Sequence, residues 1–405
     1  MLTQRADLTF KHNLKQGRHG WLRLTPAYSV KVVADILNHL DQPRRILDPF
    51  SGTGTTGLVS AEQGYRCDLI ELNPFLAWLA RAKTRNYTPL ELGETRLLAR
   101  EVIAHARQLP QEAEYWTPPI HQINRWWPAA RLTVISRLFR SLQQLGPGAS
   151  EATHDLLRIA FCRVLIDWSN AAFNHQSMSF REAAPTLFDS SEETLILDDF
   201  VAQAATLARS AETPLAAPVG VYVGDSRSVS QTVSGPYDVV ITSPPYPNRM
   251  SYIRELRPYM YWLGYLADGR AAGELDWQAI GGTWGVATSR LQTWQVDGGE
   301  VDVADFKAII RQIEKSSALL ANYVHKYFVD IARHLQSVKP VLAPGAGLFY
   351  IVGNSKFYDT LVPAEKLYAA LMAQLGFERI NIRPIRKRNS KKELVEFCVQ
   401  ARHPA

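Results

Sequence analysis

The sequence predicts an α/β fold on a mostly parallel sheet, with a largely helical insertion and an antiparallel C-terminal hairpin. Three observations predict it. Residues 45–87 read strand, loop, helix, strand, helix, the order that builds a parallel sheet. Short apolar runs return at Val219–Asp225 and Tyr237–Ile241, after the helical texture of residues 88–218. Near the end, Arg379–Ile385 and Leu394–Ala401 flank the basic turn Arg386-Lys387-Arg388-Asn389-Ser390-Lys391-Lys392, as an antiparallel pair would.

Each element has a local reason. In Trp21–Leu40, Thr25-Pro26 reads as an N-cap with proline at the first helical position, and Val30, Val33, Ile36, Leu37 and Leu40 follow with a helical period. Arg45–Phe50 reads as a short strand, Ser51–Thr56 as a loop, and Gly57–Gln63 as a helix stopped by Gly64. The second strand, Tyr65–Glu71, ends at Asn73-Pro74, and a helix follows from about Phe75. Residues 88–218 are too long for a plain crossover, with helical spacing over Leu132–Leu145 and Ala152–Trp168 on either side of Gly146-Pro147-Gly148. A polar and aromatic stretch, about 267–305, precedes one long helix, Phe306–Leu335. The strand Gly347–Val352 and the helix Pro363–Leu375 complete the order.

A chain of 405 residues exceeds one ordinary compact domain, so two domains or one enlarged by insertions are expected. Net charge is +6 and the pI is about 9.1, a balance that suits a nucleic-acid partner without singling one out. Cys67, Cys162 and Cys398 lie far apart and form no CxxC, so neither a metal site nor a disulfide framework is expected. The N-terminal residues are polar, and no run approaches the ~18 apolar residues of a membrane span, so the expected location is the cytoplasm.

The first candidate site is Asp48-Pro49-Phe50-Ser51-Gly52-Thr53-Gly54-Thr55-Thr56, between a strand and a helix. Glycines let a ligand approach the backbone, and the helix start offers N–H groups to an anionic group. Glu71 ends the next strand, about 20 residues on, where a carboxylate can accept from ribose hydroxyls. No Gly-Lys-Ser/Thr follows the glycines and the third glycine of a dinucleotide fingerprint is missing. The expected ligand is therefore a nucleoside, but neither a nucleoside triphosphate nor NAD.

The second candidate is Ile241-Thr242-Ser243-Pro244-Pro245-Tyr246, a buried strand running into two prolines and a tyrosine. Together, DPFSGTGTT and TSPPY resemble the S-adenosylmethionine-dependent amino-methyltransferases of DNA. The resemblance covers roughly residues 20–87 and 219–401 and implies a Rossmann-like class I methyltransferase fold. It divides the chain into 1–87 and 219–405 as the catalytic domain, the latter with an insertion at about 267–305, and 88–218 as a candidate DNA-recognition region.

By that resemblance Asp48, Pro49, Phe50, Ser51, Gly52, Thr53, Gly54 and Thr55 form the cofactor loop. Thr25 and Tyr28 face the methionine carboxylate, Glu71 the ribose, and Asp225 the adenine amine. Ser243, Pro244, Pro245 and Tyr246 carry the chemistry, with Ser243 also beside the cofactor. An exocyclic amine is a poor nucleophile because its lone pair is delocalised into the ring. The Ser243 hydroxyl and the Pro244 carbonyl are candidate acceptors that would redirect it, and Tyr246 would stack on a flipped-out base. Serine at the first position points to N4 of cytosine, with N6 of adenine as the alternative and an RNA amine as a more distant one. The implied partners are double-stranded DNA and a cognate restriction endonuclease.

Three regions compete for DNA contact. The insertion carries Arg125-Trp126-Trp127 and Asn174-His175-Gln176, able to contact phosphates or base edges, though its apolar helices suit packing equally. The segment after TSPPY carries Asn248 and Arg249, beside the pocket. The basic turn carries Arg386, Lys387, Arg388, Lys391 and Lys392, able to contact phosphates or simply to be a solvated hairpin tip.

Overall fold

A computed structural model of the chain describes residues 2–24, 27–40, 45–172, 179–180, 190–249, 251–296, 301–388 and 393–405. Thr25, Pro26, Asn174, His175, Gln176, Lys391 and Lys392 lie outside them.

A seven-stranded sheet organises the α/β part of the chain. Its strands in chain order are β1 (Arg45–Asp48), β2 (Arg66–Glu71), β3 (Val219–Val223), β4 (Tyr237–Thr242), β5 (Leu342–Gly353), β6 (Glu378–Lys387) and β7 (Val395–Arg402). Across the sheet they run β6-β7-β5-β4-β1-β2-β3. The strands β1 to β5 are parallel, and β7 is antiparallel to both β5 and β6. This is the expected Rossmann-like α/β architecture. Strand order reverses between β1 and β4, where open sheets of this kind leave a crevice beyond their carboxyl ends.

Parallel strands are covered on both faces, so they read as continuous apolar runs. Ile46, Leu47, Leu69, Ile70, Val240 and Ile241 are all buried. Burying each such side chain contributes about 1.5–3 kcal/mol.

Local signals place most helices. Gly54 adopts φ +79 as the N-cap of Thr55–Glu62, two residues earlier than expected. Asn73 caps Pro74–Thr84, with proline in its first turn. Ser29, rather than Thr25, caps the helix Val30–Asn38 and accepts from the Lys31 N–H. The expected single helix 306–335 is two, Phe306–Glu314 and Ala318–Val338. Ser317 breaks it, extended at φ −165 and accepting from the Leu320 N–H as a new N-cap. The helix Tyr252–Trp262 and the short hairpin Ser355–Phe357/Thr360–Val362 were not anticipated.

Residues 88–218 form the helices Pro89–Gln108, Ala129–Leu145, Glu151–Asp167 and Ser190–Ser210, with a small hairpin between Ala171–Ala172 and Ser179–Phe180. They share one apolar core with Trp21, Phe75, Trp78 and the helix Tyr252–Trp262. Arg18 fastens their return: its buried guanidinium donates to the carbonyls of Lys83, Arg85, Ala211 and Thr213 at 2.6–3.2 Å. Four carbonyls on one cation satisfy helix ends that would otherwise be buried without donors.

Candidate active site

A cavity of about 470 Å³ opens at the carboxyl ends of β1, β2, β3 and β4. Tyr28, Pro49, Phe50, Ser51, Gly52, Thr53, Thr55, Glu71, Asp225, Ser243, Pro244, Pro245, Tyr246, Asn248, Arg386, Lys387 and Arg388 all line it. The glycine loop and the proline loop, separated by the whole insertion, thus face one space.

Asp48 and Gly54 are placed differently: neither lines the cavity. Asp48 is fully buried behind the wall. Its Oδ1 accepts from the Thr242 hydroxyl at 2.6 Å and the Phe50 N–H at 3.0 Å, and its Oδ2 from the Thr56 hydroxyl. Burial raises its pKa while these donors oppose the rise. The carboxylate therefore bolts the glycine loop to the end of β4, one residue before Ser243. Gly54 supports the loop through close packing, since a Cβ there would lie 3.0 Å from Ala80 Cβ.

Glu71 closes the loop from the other side. Its Oε2 accepts from the Gly52 N–H and its Oε1 from the Asn73 N–H, both at 2.8 Å. Burial pushes its pKa up to about 7, against the lowering effect of those N–H groups. With the Leu72 N–H also directed at it, the carboxylate keeps about one of its roughly four acceptor sites for a ligand hydroxyl. Ser51 is buried on the cavity wall with a hydroxyl that has no partner. Gly52, at φ +51, leaves open space where a Cβ would stand. An unpartnered hydroxyl, a carboxylate with a spare acceptor site and a bare glycine fit the ribose and the charged tail of a nucleoside ligand.

Asp225 is more committed than expected. Arg227 donates to it from its backbone N–H at 2.8 Å and from Nε and Nη2 at 2.6–3.1 Å. Those N–H groups fill most of the roughly four acceptor sites of a carboxylate, leaving room for one further donor. Arg227 is itself fixed by Asp330 at 3.1 Å and by the Gln278 carbonyl at 2.6 Å.

In the proline loop, the Ser243 hydroxyl donates to the Ile351 carbonyl at 3.2 Å and also lies beside the Tyr246 hydroxyl. The Pro245 carbonyl accepts from the Tyr327 hydroxyl at 2.6 Å. Among the described residues no donor reaches the Pro244 carbonyl. The Tyr246 hydroxyl donates to Glu396 at 2.8 Å, and burial, with Glu396 beside it, pushes the phenol pKa well up.

In the described part of the basic turn, Arg386, Lys387 and Arg388 each have partners within the fold. Arg386 pairs with Glu396 through two bonds at 2.8 and 3.0 Å. Arg388 lies 4.9 Å from the Tyr246 ring centroid and donates to the Asn354 carbonyl at 2.6 Å. Lys387 hydrogen-bonds through its backbone N–H to the Thr3 carbonyl at 3.1 Å. Arg249 is exposed, adopts φ +59 and sits off the cavity wall, its N–H on the Tyr323 hydroxyl at 3.0 Å.

The helical insertion of residues 88–218 contributes no residue to the cavity among those described, whereas Leu275, Gln278, Ala279 and Ile280 of the second insertion line it. Trp126 and Trp127 are buried in the shared core, which corrects their reading as DNA contacts; Arg125 packs over Phe180 at 4.6 Å. Gln4, Arg5, Ala6, Thr9, Phe10 and Lys11 reach the cavity instead, a contribution with no local sequence signal. Lys83 was also missed. Its buried Nζ donates to the Thr53 carbonyl at 2.9 Å, and burial lowers its pKa to about 7. The signal was present, because Lys83 follows Leu76 and Ala80 at helical spacing on the buried face of Pro74–Thr84.

Among the described residues no group of His, Cys, Asp and Glu could hold a metal, and no helix is long and apolar enough to cross a membrane.

The chain matches no protein-family model. It is similar to the type II methyltransferases M.AvaI of a Nostoc species and of Anabaena variabilis. Each is 22% identical over 439 residues, a match covering 96% of this chain and 86% of the relative. Among solved structures it is similar to the rRNA methyltransferase aviRa of Streptomyces viridochromogenes, with 10% identity and a TM-score of 0.30 over 98% of this chain and 96% of that one.

Proposed function

We propose that this protein is a DNA methyltransferase that transfers a methyl group from S-adenosylmethionine to the exocyclic N4 amine of a flipped-out cytosine. One observation carries the reading: the Ser51–Gly52–Glu71 cradle and the Ser243–Tyr246 loop line the same cavity. Similarity to two type II methyltransferases along nearly the whole chain supports methyl transfer and a DNA substrate.

S-adenosylmethionine, when bound, supplies the electrophilic methyl group. Glu71 would hold its ribose, Asp225 its adenine amine, and Tyr28, Thr25 and the loop from Pro49 to Thr55 its remaining parts. Ser243 accepts one N–H of the target amine, since its own proton is engaged by the Ile351 carbonyl. The Pro244 carbonyl accepts the other N–H. Two acceptors draw the nitrogen toward tetrahedral geometry and aim its lone pair at the cofactor side of the cavity. Pro245 keeps that backbone rigid, braced by Tyr327. Tyr246 offers its ring to the base, and a base reaches it only by leaving the helix stack.

Arg5 and Lys11 at the cavity, together with Asn248, Arg249, Lys387, Lys391 and Lys392, supply contacts for the strand carrying that base. Arg386 and Arg388 act within the pocket wall. This reading implies a cytoplasmic protein with a cognate restriction endonuclease as its counterpart.

Plasmid DNA incubated with methyl-labelled cofactor and digested to nucleosides tests this directly. N4-methylcytosine is the expected product. N6-methyladenine would move the target to adenine, and label on RNA but not DNA would overturn the assignment.

A further inference from the structure

Stacking on a flipped base requires Tyr246 at a fixed angle beside Ser243 and Pro244. Two prolines stiffen the backbone before the tyrosine but do not fix its ring. Three neighbouring strands supply that constraint. In the sheet, Arg386 of β6 lies opposite Glu396 of β7, and Glu396 lies opposite Gly353 of β5. Directly paired residues on adjacent strands present their side chains on one face.

The Tyr246 ring rests across this row. A Cβ on residue 353 would stand 2.7 Å from Tyr246 Cδ2 and 2.8 Å from Arg388 Nη1, closer than atoms pack, so only glycine leaves the notch the ring fills. Beyond the notch the Tyr246 hydroxyl ends on Glu396 Oε1 at 2.8 Å. Glu396 is 3% exposed, and a buried carboxylate is costly unless it is paired and hydrogen-bonded. Its partners are the tyrosine of the proline loop and Arg386 of the hairpin, which contacts both carboxylate oxygens.

We propose that Gly353, Glu396 and Arg386 form the seat of Tyr246, and that Glu396 is a positioning residue for methyl transfer, acting through the Tyr246 hydroxyl. The inference rests on the methyltransferase reading above. A different role, in which Glu396 and Arg386 only staple the hairpin, would make loss of the carboxylate indifferent to the hydroxyl at 246.

A double-mutant cycle on the full-length protein separates the two, using plasmid DNA and methyl-labelled cofactor. Tyr246→Phe keeps the ring and removes its hydroxyl. Glu396→Ala removes the acceptor, whereas Glu396→Gln keeps one. Tyr246→Phe and Glu396→Ala should each lower kcat about tenfold, the size of one lost charge-assisted hydrogen bond, with KM for the cofactor within about twofold. The double variant should be no slower than the worse single one, and Glu396→Gln should lose less than Glu396→Ala. Multiplying losses, about a hundredfold in the double variant, would overturn the proposal.

Glu396→Ala leaves Arg386 unpaired and can fail to fold; the Glu396→Gln and Tyr246→Phe pair then carries the same comparison. A crystal structure supplies a readout without activity: the aromatic ring at position 246 should be displaced in Gly353→Ala and in Glu396→Gln/Tyr246→Phe. A ring left in place in both sinks the seat. Should the wild-type protein methylate no DNA, the functional reading fails while this structural comparison still decides the seat.

Discussion

Protonation of Glu71 should control cofactor affinity. The carboxylate accepts from the Gly52 and Asn73 N–H groups at 2.8 Å, and burial pushes its pKa from an ordinary 4.5 to about 7. A protonated carboxyl gives up acceptor sites that the loop and a ribose both need. If only the ionised form binds, affinity falls about tenfold for each pH unit below 7, which corresponds to ~1.4 kcal/mol per unit. Between pH 8 and pH 6 the Kd for S-adenosylmethionine should therefore rise roughly tenfold. Folding stability runs the other way. A raised carboxyl pKa means the folded chain holds the proton more tightly, so this stabilising contribution is full below about 4.5 and lost as pH rises through about 7. Isothermal titration of wild type and Glu71→Gln across that range is the assay. Glutamine has one carbonyl oxygen for two N–H donors, so the variant should bind more weakly at pH 8 and show no slope. A wild-type Kd independent of pH, or a slope surviving in Glu71→Gln, would refute the reasoning.

Gly52→Val should abolish measurable cofactor binding, because φ +51 disfavours a branched residue by about 1–3 kcal/mol and its side chain would fill the open space over the loop; normal titration would show the loop misassigned. Ser243→Ala should lower kcat roughly tenfold to a hundredfold with little change in cofactor Kd, and Tyr246→Ala more; equal losses of rate and affinity would remove their assigned roles. Lys83 has a folded pKa near 7 against an ordinary 10.5, so its contribution to stability is present above about 10.5 and is lost as pH falls through 7. Wild type should thus gain stability over Lys83→Met between pH 7 and 9 in denaturant melts, and the opposite trend would disprove the burial argument. Trp127→Ala should destabilise by about 3–5 kcal/mol while leaving the methylated sequence unchanged; a changed target would return recognition to that tryptophan.

Much of the sheet was legible because its strands are apolar runs ended by glycine or proline, as at Asp48-Pro49 and Thr242-Ser243-Pro244. The two loops were legible for the same reason. Less visible was the direction of each polar side chain. Asp48 belongs to the glycine-loop motif in sequence, yet the register of β1 and β4 turns it inward onto Thr242. Arg386 and Arg388 looked like a charge run because Glu396 and Tyr246, their partners, lie on other segments. Ser316-Ser317 ended a helix that apolar periodicity alone carried through, since a cap acts through one hydrogen bond and leaves the pattern intact. Trp126 and Trp127 show the reverse error: tryptophan suits a nucleic-acid surface and a packed core equally, and only burial separates them.

The bond between Asp48 and Thr242 spans 194 positions of chain, and β2 meets β3 only after residues 88–218 have been traversed. A ribosome therefore delivers the glycine loop long before the strand whose Thr242 donates to its buried acid. During synthesis the helical block can collapse early on local contacts, while β1 and β2 wait with an open edge on either side. The wall behind the glycine loop is thus completed only after β4 has emerged. Truncated chains ending before Thr242 should be soluble only through their helices, and unable to hold the nucleoside.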